Sequence, residues 1–189
     1  MNQTKFPRVL LLTAFFAVSA AGNSAENPQA DEQQTRRYRS KEFVFSYPSD
    51  FKLSVEDNGT VIRLRFPNQS PYCENTITVR KQNKKTAECD IPQDSHADND
   101  DSRSIAGHRA NAYSGEDVAM NRYVRRKGYF IEDKDSCWNF ELIRKGRPYQ
   151  KFDLSPEELK RLDKQSDQDF KKASAAFNVV LDSFVFRRD

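Results

Sequence analysis

Phe51-Lys52-Leu53-Ser54-Val55-Glu56-Asp57-Asn58-Gly59-Thr60-Val61-Ile62-Arg63-Leu64-Arg65-Phe66 reads as a β-hairpin. Phe51, Leu53 and Val55 alternate with polar residues, and so do Ile62, Leu64 and Phe66. That period of two places one apolar row on a core and one polar row in water. Asn58-Gly59 accepts the positive φ angles of a type I′ turn, whose twist matches that of paired strands. Asn58-Gly59-Thr60 is also a glycosylation sequon, relevant only in a eukaryotic source.

Working outward, Phe43-Val44-Phe45-Ser46-Tyr47 alternates as a half-buried strand and turns at Pro48-Ser49-Asp50. A second hairpin is expected over 73–90, with Thr76-Ile77-Thr78-Val79 as its first strand and a tip near Gln82-Asn83-Lys84-Lys85. The acidic stretch 94–101 reads as a polar loop. A three-stranded meander follows over His108–Tyr113, Val118–Ile131 and Ser136–Arg144, with turns at Ser114-Gly115-Glu116-Asp117 and Asp133-Lys134-Asp135. In its last strand Trp138, Phe140 and Leu142 share one face, and Cys137, Asn139 and Glu141 the other.

The period then changes. Ser155-Pro156-Glu157-Glu158 is a helix start, with a capping Ser, a Pro at the first position and a Glu at the third. A second start is expected at Ser166, with Phe170, Ala173, Phe177, Val180 and Leu181 on one face. Ser183-Phe184-Val185-Phe186 closes the chain as a short strand. Hairpins and a meander followed by helices, one of them C-terminal, predict an α+β fold with an antiparallel sheet.

The N-terminal end assigns a compartment. Lys5 and Arg8 precede the uncharged apolar run Val9–Val18, and small residues fill 19–25. This is the layout of a secretory signal peptide, with cleavage expected between residues 21 and 26. The run is shorter than the roughly 20 residues needed to span a bilayer. No Cys follows it to take a lipid anchor. The expected organisation is a signal peptide at 1–25, a polar, flexible lead-in at 26–40, and a single α+β domain at 41–189. The expected location is periplasmic or secreted.

Charge excludes one large class of partner. Taking Lys5 and Arg8 from the 31 basic residues leaves the mature chain near balance with its 28 acidic ones. Nucleic-acid binders usually carry a strongly basic face. Arg36-Arg37, Lys84-Lys85, Arg125-Arg126-Lys127 and Arg144-Lys145 are too short for an interaction tail and read as solvated edges or turns.

Few groups offer chemistry. The only histidines are His96 and His108, and no Gly-x-Ser-x-Gly elbow, Gly-rich phosphate loop or His-Glu-x-x-His occurs. Cys137 with His108 is the one thiol–imidazole pair that a small periplasmic thiol-dependent or hydrolytic enzyme would use. Asp94, His96, Asp98 and Asp100 alternate like oxygen ligands of a divalent cation but lack the central Gly and distal Glu of a calcium loop. Trp138, Tyr123, Tyr129 and Phe140 are candidates for an aromatic groove, a pattern that sheet cores also produce. The expectation is no catalytic set, no metal and no cofactor.

Three cysteines in an oxidising compartment leave one unpaired, and three pairings are open. Cys73 and Cys89 flank the expected second hairpin almost symmetrically, so a Cys73–Cys89 disulfide is expected, with Cys137 left over.

The layout resembles the PsbP-like superfamily. The resemblance is carried by Phe43-Val44-Phe45-Ser46-Tyr47-Pro48-Ser49-Asp50-Phe51, the hairpin at Asn58-Gly59, the segment Cys137-Trp138-Asn139-Phe140-Glu141-Leu142, and Val180-Leu181-Asp182-Ser183-Phe184-Val185-Phe186. It spans about residues 41–187. It implies a noncatalytic binding or assembly module; with the export signal, the expected role is a binding or envelope-associated accessory protein whose partner is an unidentified protein or small molecule of the cell envelope.

Overall fold

The computed structural model describes residues 34–67, 69–70, 72–84, 89, 91–92, 94–119, 122–147 and 153–187. The expected signal peptide and cleavage window lie outside these residues. Ten strands and one helix are seen among them: β1 (Thr35–Arg39), β2 (Phe43–Pro48), β3 (Lys52–Glu56), β4 (Val61–Arg65), β5 (Cys73–Asn83), β6 (Ser95–Ile105), β7 (His108–Ala119), β8 (Arg122–Glu132), β9 (Ser136–Gly146), α1 (Pro156–Ser183) and β10 (Val185–Phe186). Two antiparallel sheets form, in the orders β1-β2-β10 and β3-β4-β5-β9-β8-β7-β6.

The Asn58-Gly59 hairpin is present as expected. Asn58 sits at φ 56°, ψ 32° and Gly59 at φ 90°, and the Thr60 N–H donates to the Asp57 carbonyl at 3.2 Å. Leu53 pairs with Leu64 and Val55 with Ile62. A second positive-φ turn at Ala106-Gly107 joins β6 to β7.

One apolar cluster unites the elements. Phe43 and Phe45 of β2, Trp138, Phe140 and Leu142 of β9, Ile77 and Val79 of β5, and Phe177, Val180 and Leu181 of α1 are all buried in it. Phe184, at the end of α1, is its hub: its ring centroid lies 4.8 Å from Phe140, 5.2 Å from Phe43 and 5.6 Å from Trp138. The face of the seven-stranded sheet carrying Trp138, Phe140 and Leu142 is the inner face; Cys137, Asn139 and Glu141 lie on the outer one.

The structure corrects five expectations. Residues 35–39, placed in the flexible lead-in, form β1, an edge strand with Tyr38 alone packing inward, its ring 5.4 Å from Phe45. One inward residue leaves no periodicity to detect. The second hairpin is replaced by a long β5 whose neighbours are β4 and β9, so its pairing is distant in sequence. The acidic stretch 94–101 belongs to β6, an edge strand with an irregularity between Asp98 and Ser102. An edge strand tolerates charge because one of its sides meets water.

Ser114-Gly115-Glu116-Asp117 runs straight through β7 instead of turning. A Cβ at Gly115 would collide with the Asp94 carbonyl and Ser95, so glycine here permits a close strand approach. Finally, a single helix is seen among the described residues where helices were expected. Ser155 starts it with a complete capping box, and Ser166 lies buried within it without restarting it. Its hydroxyl is used by Arg144 Nη2, which donates to it at 2.6 Å.

Candidate functional site

The disulfide joins Cys89 to Cys137, with Cα atoms 5.7 Å apart, and Cys73 is a buried free cysteine. This overturns the expected Cys73–Cys89 bridge. Cys73 pairs with Gly146 at one end of β5, whereas Gln82 pairs with Cys137 at the other. Nine residue steps along a strand separate the two pairs by about 30 Å. Cys89 follows the far end and meets Cys137 there.

The bond also removes the thiol–imidazole pair, because the Cys137 sulfur is not free. His108 instead stands edge-on to Phe186, with ring centroids 5.2 Å apart. Of the aromatic-groove candidates, Trp138 and Phe140 are core residues, and Tyr129 packs against Phe177 at 6.4 Å. Among the described residues no group of three or more His, Cys, Asp and Glu is placed to hold a metal ion.

The basic triplet 125–127 is divided by strand alternation. Arg125 bridges to Glu116 at 3.0 Å, Arg126 lies 3.7 Å from Asp94 and 3.8 Å from Glu141, and Lys127 sits over the Phe170 ring at 5.4 Å. On the outer face the Tyr113 hydroxyl crosses bare Gly128 to donate to Asn139 Oδ1 at 2.5 Å. Burial holds the Glu141 carboxyl above the usual range, and the Arg126 charge opposes that shift.

What the sequence reading missed lies where β3, β4, β5, β8 and β9 come together. A pocket of about 540 Å³ opens there. Among the described residues Lys52, Arg65, Arg122, Lys145 and Arg147 line it, with Glu74 as the one carboxylate. Lys52 pairs with Arg65, and Glu74 with Lys145, so strand register gathers the charges. Arg65 Nε lies 3.9 Å from Glu74. Among the described residues no ion pair takes up Lys52, Arg122, Lys145 or Arg147.

The pocket wall is tied down by hydrogen bonds. The Gln69 amide donates to the Asn75 carbonyl at 3.2 Å and accepts from the Asn75 N–H, beside the Phe66 N–H, which donates to the same carbonyl at 3.4 Å. The Cys73 N–H donates to Ser70 at 3.1 Å and the Arg147 N–H to Tyr72 at 3.0 Å. Beneath, Arg144 Nε lies 3.3 Å from the Cys73 sulfur and the Tyr123 hydroxyl 3.7 Å from it. Burial, together with the hydrogen bond to Cys73, pushes the Tyr123 hydroxyl up to about 12. No single stretch of sequence announces this pocket, since Lys52, Arg65, Arg122 and the Lys145/Arg147 pair come from four different strands or their ends and read locally as solvated residues.

No family model and no curated protein sequence matches the chain. Among solved structures it is similar to LpqN of Mycobacterium tuberculosis, described as involved in cell envelope biogenesis, with 13% identity and a TM-score of 0.44 over 85% of this chain and 88% of that one.

Proposed function

We propose that this chain is an exported, noncatalytic accessory protein of the cell envelope, PsbP-like in architecture, that binds its partner through the basic pocket at the sheet end. The observation that carries the reading is the pocket itself. Five cationic side chains converge on one concavity whose wall is fixed by backbone and amide hydrogen bonds. A largely preformed concavity with converging polar groups is the usual form of a binding site. The Cys89–Cys137 bond supports export, because disulfides persist in oxidising compartments.

Retention of envelope components on the immobilised mature chain tests this. A component held by the wild type is expected to be lost from the double variant Arg122→Glu, Lys145→Glu. Equal retention by a folded double variant would move the binding site elsewhere.

A further inference from the structure

Resting on that reading, we infer that the pocket takes a phosphorylated ligand carrying two or more negative charges. The mature chain is near charge balance, yet among the described residues five cations and one carboxylate surround this opening. The asymmetry is therefore local. Positive side chains crowded into one concavity focus the field there and repel one another, and a polyanion relieves both effects. A singly charged ligand would leave most of the excess uncompensated.

Three of the five cations, Arg65, Arg122 and Arg147, are guanidinium groups, whose planar forks match the oxygens of phosphate better than a lysine's point charge does. Lys52 and Lys145 add charge without demanding one geometry. Glu74 offsets one charge of the group, at Arg65, and leaves an excess of four. The volume of about 540 Å³ lies within the range of small-molecule sites and exceeds the need of a bare inorganic ion. Phe66 and Pro67 give the opening an apolar wall on which the organic part of a phosphate ester can rest.

The same chemistry is offered by a soluble phosphate ester and by an anionic phospholipid headgroup. Calorimetric titration of the mature chain with inorganic pyrophosphate tests the shared chemistry. Saturable one-to-one binding is expected, weakened at least about tenfold by Arg122→Gln or Lys145→Gln and progressively by added salt. Lys172→Gln, on the exposed face of α1, is expected to leave the affinity unchanged. Circular dichroism and thermal unfolding confirm that each variant is folded.

Sedimentation with phosphatidylcholine vesicles, with and without phosphatidic acid, separates the sources. Binding to the acidic vesicles that pyrophosphate displaces assigns a headgroup. Pyrophosphate binding without vesicle binding assigns a soluble ester. Absence of saturable pyrophosphate binding, or equal affinity in the folded pocket variants, overturns the ligand class. If envelope retention is still lost in the double Glu variant, that failure leaves the pocket reading standing; if retention is also unchanged, both fall.

Discussion

Cys89 and Cys137 are joined across 48 residues of sequence, and their bond ties one point between β5 and β6 to β9. Lys84 lies at the β5 end, with its N–H on the Asp135 carbonyl; Cys89 is fastened to β9, and Asp94 approaches Arg126 of β8. Ser95 then pairs with Gly115 of β7. The disulfide fastens the β5–β6 connection to β9 at Cys89.

Non-reducing peptide mapping is expected to link Cys89 to Cys137 and to find Cys73 as a thiol. Cys137→Ser is expected to cost about 4 kcal/mol, the loop-closure entropy of a loop of this length. Urea unfolding with and without reductant measures it. Equal wild-type stability in both conditions would show that the bond does not constrain the unfolded chain.

Phe177 is 2% exposed on the buried face of α1, and its ring faces Tyr129. Phe177→Ala is expected to cost about 3–5 kcal/mol, the usual penalty for emptying an aromatic core site. Lys172→Ala, on the exposed side, should cost well under about 1 kcal/mol. Similar shifts in thermal unfolding for both would misplace the helix face.

Gly128 is a steric requirement of the outer face. A Cβ there would fall 2.5 Å from the Phe140 carbonyl oxygen and from the Tyr113 ring. Gly128→Ala should displace Tyr113 from Asn139 and cost about 1–3 kcal/mol. Chemical denaturation with tyrosine absorbance reports both; unchanged values would mean the strands move apart freely.

Glu141 sets a pH dependence. Its carboxyl is raised above the model-peptide value by burial, against the pull of Arg126. Between the unfolded and folded values the native state binds more protons than the unfolded chain, so stability falls as pH rises through that window. Below it the contribution is fully present. Glu141→Gln is expected to flatten this fall and to raise stability relative to wild type near neutral pH. Urea unfolding from pH 4 to pH 8 checks it, and parallel profiles for the two proteins would place the pH dependence elsewhere.

Local sequence carried some elements completely. Asn58-Gly59 and the Ser155–Glu158 capping box declare themselves because every participating residue lies within a few positions of its partner. The face pattern of β9 was equally legible, since alternation is a property of one strand. The pairing of β5 with β9 was not, because Cys73 meets Gly146 and nothing in either segment names the other. The misassigned disulfide follows from that missed pairing. The pocket was hidden for the same reason: Lys52, Arg122 and Arg147 become neighbours through sheet order alone.

The placement of Asp94–Asp101 along β6 has a consequence for self-association. β6 is an outermost strand of the seven-stranded sheet, and its free edge offers backbone groups that a second copy can pair with. Exposed Asp98 and Asp101 put like charges where that copy would dock, and the irregularity beside them breaks the flat edge such docking needs. At the opposite border β3 presents Lys52 and Glu56. The like charges and the irregularity therefore disfavour edge-to-edge growth at the β6 border, whereas the opposite charges of Lys52 and Glu56 give the β3 border no such repulsion.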